Sequence, residues 1–384
     1  MRSEKLYYTD SHLSEFSAVV TSCVEREGGY ALTLDRTAFF PEGGGQLADT
    51  GYIGDVRVTD VREKDGELRH YVDAPVAPGT AVFCRLDWEQ RYRRMQNHSG
   101  EHIVSGITHG LYGYENVGFH MGTDCMTIDF SGELTWEQLM DIERRANECV
   151  RSDVPIRTYF PDGETLAKLE YRSKLELTHD VRIVEIEGID RCACCAPHVT
   201  RTGEVGIIKI LDFMRHRGGV RVSLVCGMDA LDDYRARQQS VTEISNATSV
   251  KRDQVAEGVR RLLAEQGKQK ERIAALSLAL ARNIAAGYAP TEGNIVVFDT
   301  LLDEPALREL VNELAEKCRI AAAFSGGDET GYRYIIGSRV TDLRPLTRAV
   351  NAGIGGRGGG KSEMIQGSAG KTAAEIREFM EKLA

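Results

Sequence analysis

His98 and His102 stand four residues apart in NHSGEHIVSG, and about a hundred residues later Cys194 and His198 repeat that separation in CCAPH. This arrangement constrains the fold strongly, because the two pairs carry one chemistry only if the chain brings them together. NHSGEHIVSGITHGLYGY reads as a helix, where positions i and i+4 share a face. Two imidazoles, a thiolate and a third imidazole form a donor set suited to zinc in tetrahedral coordination, one ion per chain. Cys192 and Cys195 offer alternative thiols. Cys194 is preferred because its spacing to His198 mirrors that of the histidine pair. Closed structural zinc sites usually draw on two close pairs within a small module, whereas pairs this far apart predict a cleft. Glu101 adds a competitor, since H-x-x-E-H is the inverzincin metalloprotease motif with glutamate as general base. A carboxylate typically completes such sites, and the late cluster here offers sulfur. Glu101 also reads as a solvated helix residue.

Gly355 to Ser362, GGRGGGKS, spells the phosphate-loop pattern G-x-x-x-x-G-K-[ST]. A phosphate loop follows a buried strand and opens a helix whose N-terminus faces the phosphates. Here LRPLTRAVNAGI precedes it with helical spacing, and EMIQGSAG follows with no helical run. The next helix opens at the capping box Thr372/Glu375 in TAAEIREFMEKLA. No ATP is expected. A flexible linker fits poorly too, because strand and helix patterns lead into the glycines.

The fold class expected is α+β and multidomain. Residues 1–90 read as a small N-terminal β-barrel, with YALTL alternating and Asp65-Gly66 marking a hairpin. Residues 91–231 mix strands and helices as a zinc-binding α+β domain. Residues 232–287 are helical and polar, a linker or short coiled coil. Residues 288–384 form a C-terminal α/β domain with strands NIVVFD, RIAAAFSG and YRYIIGSRV and the helix PALRELVNELAEK. The net charge of −10 argues against a general nucleic-acid adhesive but leaves room for a local basic groove. The nine cysteines are odd in number and thinly spread, which argues against a disulfide framework. No stretch approaches the ~20 apolar residues of a membrane span, and the N-terminus lacks a signal-peptide core. A cytoplasmic protein with no membrane partner is expected.

NHSGEHIVSG together with CCAPHVTRTGEVGIIKI resembles the H-x-x-x-H and C-x-x-x-H pair of the editing domain of alanyl-tRNA synthetases and of free-standing alanyl-tRNA editing proteins. FFPEGGGQLADTG resembles the glycine-rich stretch before that domain, and GFHMGTDCMTIDF its central segment. NAGIGGRGGGKSEMIQG resembles the C-terminal nucleic-acid-binding domain of the long editing proteins. The chain departs from the family in writing HSGEH and CCAPH where H-T-A-x-H and C-G-G-T-H are frequent. That keeps the ligand types and alters the pocket lining. Nothing resembles the synthetase's ATP-binding aminoacylation core.

The resemblance implies a trans-editing hydrolase that deacylates tRNA specific for alanine when it carries serine, or glycine, by zinc-dependent ester hydrolysis. Zinc would sit on His98, His102, Cys194 and His198. His120 is implied in substrate positioning or proton transfer, with a structural strand hydrogen bond as the alternative. Gln46 with its glycines is implied in close approach to the aminoacylated end, with a plain β-turn as the alternative. Gly355, Gly356, Arg357, Gly358, Gly359, Gly360 and Lys361 become an RNA-contacting loop. Arg91, Arg93, Arg94, Arg215, Arg217 and Arg221 offer further local positive charge. A homodimer through the C-terminal domain is also implied. Two alternatives stay open: an inverzincin-like metalloprotease using HSGEH, and a tRNA-binding module with a structural zinc.

Overall fold

The computed structural model describes residues 3–173 and 181–383. The mixed α+β chain divides into two compact units, Met1–Ser240 and Val241–Ala384.

In the first unit, strands Glu15–Arg26, Gly29–Leu34, Glu67–Val72, Val56–Lys64, Gly51–Ile53 and Ala81–Leu86 close into a barrel in that order. Alternation drives it: Phe16, Ala18 and Val20 point inward while Glu15 and Ser17 face out. Val20, Leu32, Ile53, Val58 and Val61 are fully buried, each worth about 1.5–3 kcal/mol of apolar transfer. The hairpin expected at Asp65-Gly66 is present, with φ of 55° and 75° at the two turn residues. That is the left-handed pair a two-residue turn between twisted strands requires.

The helix Trp88–Tyr112 leaves the barrel and is buried almost continuously from Met95 to Thr108. It packs against the helix Trp136–Ser152, beside an antiparallel sheet of Ile208–His216, Gly219–Cys226, Met126–Phe130 and Asn116–Met121. Two glycines set its depth. A Cβ at Gly100 would strike the Cys226 sulfur, and one at Gly106 would strike the Ile189 carbonyl. Close approach at Gly106 brings the hairpin of Ile183–Ile186 and Asp190–Ala193 against the helix. A buried ion pair, Arg91 with Asp49, ties the helix to the barrel at 1% side-chain exposure on each side. Residues 1–90 and 91–231, expected as separate domains, therefore lie within one compact unit.

The helical segment expected at 232–287 comprises Met228–Thr248 and Val255–Ala286. In the second unit a five-stranded sheet runs Asn294–Phe298, Ile320–Gly327, Gly331–Gly337, Met364–Ala369, Arg357–Gly360. Helix Glu304–Ala315 starts on an Asp303 cap with proline in its first turn, and helix Ala373–Lys382 on the Thr372/Glu375 capping box. The core of the phosphate-loop-like run is an edge strand, Arg357–Gly360, and Lys361 opens a turn closed by its N–H bond to the Met364 carbonyl at 2.8 Å. It is not a strand–loop–helix phosphate cradle. Its glycines are spent on contact, since a Cβ at Gly356, Gly358 or Gly360 would run into the carbonyls of Ser368, Gln366 and Met364 across the ladder. Among the described residues no helix is long and apolar enough to cross a membrane.

His70 sits inside the barrel at 0% exposure. The Leu32 carbonyl, 3.2 Å from Nδ1, can only accept, so Nδ1 carries the proton and Nε2 accepts from the Thr37 hydroxyl at 2.9 Å. Burial pushes this imidazole down to about 4 from the ordinary 6.5. Between those values the unfolded chain binds a proton that the folded barrel refuses, so stability falls as pH drops from about 6.5 to about 4, by about 3 kcal/mol in all. In urea titrations across that window His70→Gln is expected to lose about one proton's worth of slope relative to wild type. Parallel slopes would contradict a neutral buried His70.

Candidate metal centre

His98 and His102 lie on the buried face of the long helix, and Cys194 and His198 follow the last strand of the hairpin sheet. The structure brings one donor atom from each within 4.8 Å of all the others. The donors are identified by what holds the remaining ring nitrogens. His98 Nδ1 lies 3.0 Å from Gln46 Oε1, His102 Nδ1 2.8 Å from Asp190 Oδ2, and His198 Nδ1 3.1 Å from Ser99 Oγ. Each Nε2 is thereby aimed at the shared centre, as ligating histidines require. Cys194 Sγ stands 3.6 Å from His98 Nε2 and 3.4 Å from His198 Nε2. Tetrahedral nitrogen and sulfur ligands around one first-row ion lie roughly 3.3–3.6 Å apart. The four residues fit a metal.

The charges agree. Burial alone would raise the Cys194 thiol, but the charge of His98 and hydrogen bonds from the three imidazoles hold it well below its ordinary value, as the ligating thiolate needs. Burial, with the charges of His102 and His98, pushes His198 down to about 3 and keeps its lone pair available. Burial favours neutral His102, yet Glu101 and Asp190 raise it well above its ordinary value, so the position attracts positive charge. Asp190 stays ionised against burial through His102 and Arg172, whose guanidinium grips both oxygens at 2.8 and 3.0 Å. Arg182 fastens the loop by donating to the carbonyls of Cys194 at 3.1 Å and Ala196 at 2.7 Å.

A cavity of about 630 Å³ opens beside His98, His102 and Cys194. Its rim includes the turn Gly43–Gln46, whose central residues Gly44 and Gly45 have φ of 59° and 84°. A Cβ on Gly45 would enter the Phe119 ring. Gln46, expected to meet the aminoacylated end, is fully buried and orients His98. His120 is exposed on its strand and lines a separate hollow of about 240 Å³ across the turn. The residue that faces the metal cavity is its neighbour Phe119, with its ring 4.9 Å from that of His98. Alternation along a strand turns adjacent side chains to opposite faces.

Cys194 is the convergent thiol. Cys192 neighbours His102 and Asp190, and Cys195 is exposed. No carboxylate belongs to the four-residue set, unlike an inverzincin site. Glu101 is buried at 4% rather than solvated. Of the arginines expected to face RNA, Arg91 is buried against Asp49, Arg93 pairs with Asp229 and Asp232, and Arg221 pairs with Asp129. Arg215 and Arg217 remain on the surface. Gly355 to Lys361 belong to the second unit. Sequence reasoning missed Asp190, Ser99 and Arg172. The rule that each ligating imidazole needs a partner for its second nitrogen could have pointed to Asp190 and Ser99, while Arg172 holds Asp190 in turn.

Asp190→Asn is expected to weaken divalent-metal binding by about 10–100-fold with the fold intact. Competition against a chromogenic chelator, with circular dichroism as control, measures it. Unchanged affinity would mean that Asp190 serves Arg172 alone.

Residues 181–262 match the family described as "Threonyl and Alanyl tRNA synthetase second additional domain". The alanine–tRNA ligase of Methanopyrus kandleri is 31% identical across 100% of this chain and 45% of its own length. That of Halorubrum lacusprofundi is 32% identical over 85% of this chain and 37% of its own length. The alanyl-tRNA editing protein AlaX-L of Pyrococcus horikoshii is 34% identical over 59% of each chain. The chain thus spans less than half the length of those ligases. In sequence it resembles alanine–tRNA ligases and an alanyl-tRNA editing protein, and the loop carrying Cys194 and His198 falls in the segment that matches the second additional domain.

Proposed function

We propose that the protein is a trans-editing hydrolase that removes serine, or glycine, from tRNA specific for alanine. The observation that carries this reading is the convergence of four donor atoms, three with their second nitrogens fixed, at the edge of a cavity. The relatives' names supply the substrate class. The donor set suits zinc, which when bound supplies Lewis acidity toward the ester or the attacking water.

The chain's own residues do the rest. At about 630 Å³ the cavity falls in the range of small-molecule sites and suits an aminoacyl group with part of its terminal nucleoside. Tyr8 and Phe160, edge to face with centroids 5.4 Å apart, offer the terminal adenine an aromatic wall. Phe119 and the glycine turn close the opposite side against water. A site that pairs the serine hydroxyl spares alanine, which would leave buried polar groups unpaired. Arg357 and Lys361 on the glycine-rich edge strand meet RNA phosphates, and no ATP is used. In this reading the protein works in the cytoplasm, with no membrane. It pairs as a homodimer through its C-terminal unit, where Leu262, Leu263, Ile273 and Leu276 are 47–62% exposed on one helix.

Purified protein with tRNA specific for alanine, charged with serine, glycine or alanine, tests the activity. Serine is expected to be released and alanine spared, and the extent of glycine release measures how far the pocket relies on the hydroxyl. A chelator should abolish release, and zinc restore it. His102→Ala and Cys194→Ala should lower deacylation at least ~100-fold while keeping tRNA affinity, which separates catalysis from a binding module with structural zinc. Zinc-loaded protein that leaves all three charged tRNAs intact, or that digests casein, would overturn the proposal. Light scattering should give twice the chain mass, and Arg357→Ala with Lys361→Ala should weaken tRNA binding and flatten its salt dependence.

A further inference from the structure

We infer that Glu101 anchors the α-ammonium group of the aminoacyl ester, a role resting on the deacylase function proposed above. Glu101 is 4% exposed and lines the cavity beside the metal centre. Its Oε1 accepts from the Ser105 hydroxyl at 2.6 Å and from Asn116 Nδ2. The Asn116 amide is oriented by the Gly118 N–H, which donates to Oδ1 at 3.1 Å. Both partners of Oε1 donate, so that oxygen is fixed as an acceptor. Oε2 accepts no hydrogen bond from the described residues and stands 3.8 Å from His102 Nε2.

A buried carboxylate with one open oxygen calls for a donor or a cation. Of the two arginines among the described residues that line the cavity, Arg172 is committed to Asp190 and Arg182 donates to the Cys194 and Ala196 carbonyls. A seryl or glycyl ester carries one cation of its own, the α-ammonium, about 2.5 Å from the carbonyl carbon that hydrolysis attacks. An ester whose carbonyl lay beside His102 Nε2, itself 3.8 Å from Oε2, would bring that ammonium within reach of Oε2. The centre supplies a reason for a carboxylate there. A divalent ion with one thiolate keeps net positive charge, which would repel an ammonium unless a negative group stood between them.

Two amide-linked adenosine probes that cannot be hydrolysed test this: the seryl compound, and its counterpart with hydroxyl in place of the α-amine. They are titrated calorimetrically into zinc-loaded wild type and Glu101→Gln. The substituted side chain keeps an acceptor oxygen for Ser105 and Asn116, and zinc content reports the integrity of the centre. Wild type is expected to prefer the amine by about 10–100-fold, and Glu101→Gln to lose that preference while binding the hydroxyl probe unchanged. Equal weakening of both probes, or retained preference, overturns the anchor. Turnover of seryl-tRNA is followed in parallel. An amine preference without deacylation would sink the proposed activity and leave the anchor standing. Deacylation with no amine preference would do the reverse.

Discussion

A buried imidazole has two nitrogens to satisfy, and in this chain three buried imidazoles satisfy one each in three different ways. Gln46 reaches His98 from the barrel's glycine turn, Ser99 reaches His198 from the long helix, and Asp190 reaches His102 from the hairpin. These three bonds can form together only when barrel, helix and hairpin are all docked. The candidate metal centre is thus the point at which the first unit's tertiary structure is registered. The buried Arg91–Asp49 pair belongs to the same docking, because two desolvated charges are tolerable only in their mutual geometry. The glycines inside the helix set how deeply it lies against the hairpin. A larger residue at position 106 would push Asp190 away from His102 before it disturbed any ligand directly.

The four converging residues were legible in the sequence because their spacing has a geometric meaning. Two side chains four apart on a helix share a face, and the thiol and imidazole at the same separation in CCAPH matched it. The Asp65-Gly66 hairpin and the Thr372/Glu375 cap were legible for the same kind of reason, since each is a local rule obeyed by adjacent residues. Partners fixed by long-range docking were not. Gln46 could be placed near the site but not assigned to His98, because its role depends on a contact fifty-two positions away in the chain. Strand alternation turns Phe119 to the metal cavity and His120 to the separate hollow, and a short strand offers little pattern from which to read that phase. The edge strand Arg357–Gly360 was hidden by its glycines, which usually signal a loop. Here their missing side chains let Ser368, Gln366 and Met364 approach.

Acidity and RNA binding are compatible once each arginine is placed. Arg91, Arg93 and Arg221 are occupied by carboxylates of the same fold, so counting cations overstated what this unit offers a phosphate backbone. Charge spent on internal pairs contributes to docking and orientation. Only charge left at the surface attracts a polyanion, and that attraction is the part that salt screens.

Glu101 and Asp190 flank the same imidazole, and their surroundings separate their roles. Asp190 is saturated: the His102 Nδ1–H and the Arg172 fork fill its oxygens, leaving it free only to orient and to balance charge. Glu101 is half-saturated, with Ser105 and Asn116 on one oxygen and the other turned to the cavity. Two like acids beside one metal position thus differ by the number of donors the fold assigns to each. The fold closes the account of one acid within the protein. It leaves the other to be completed by whatever cation enters the cavity.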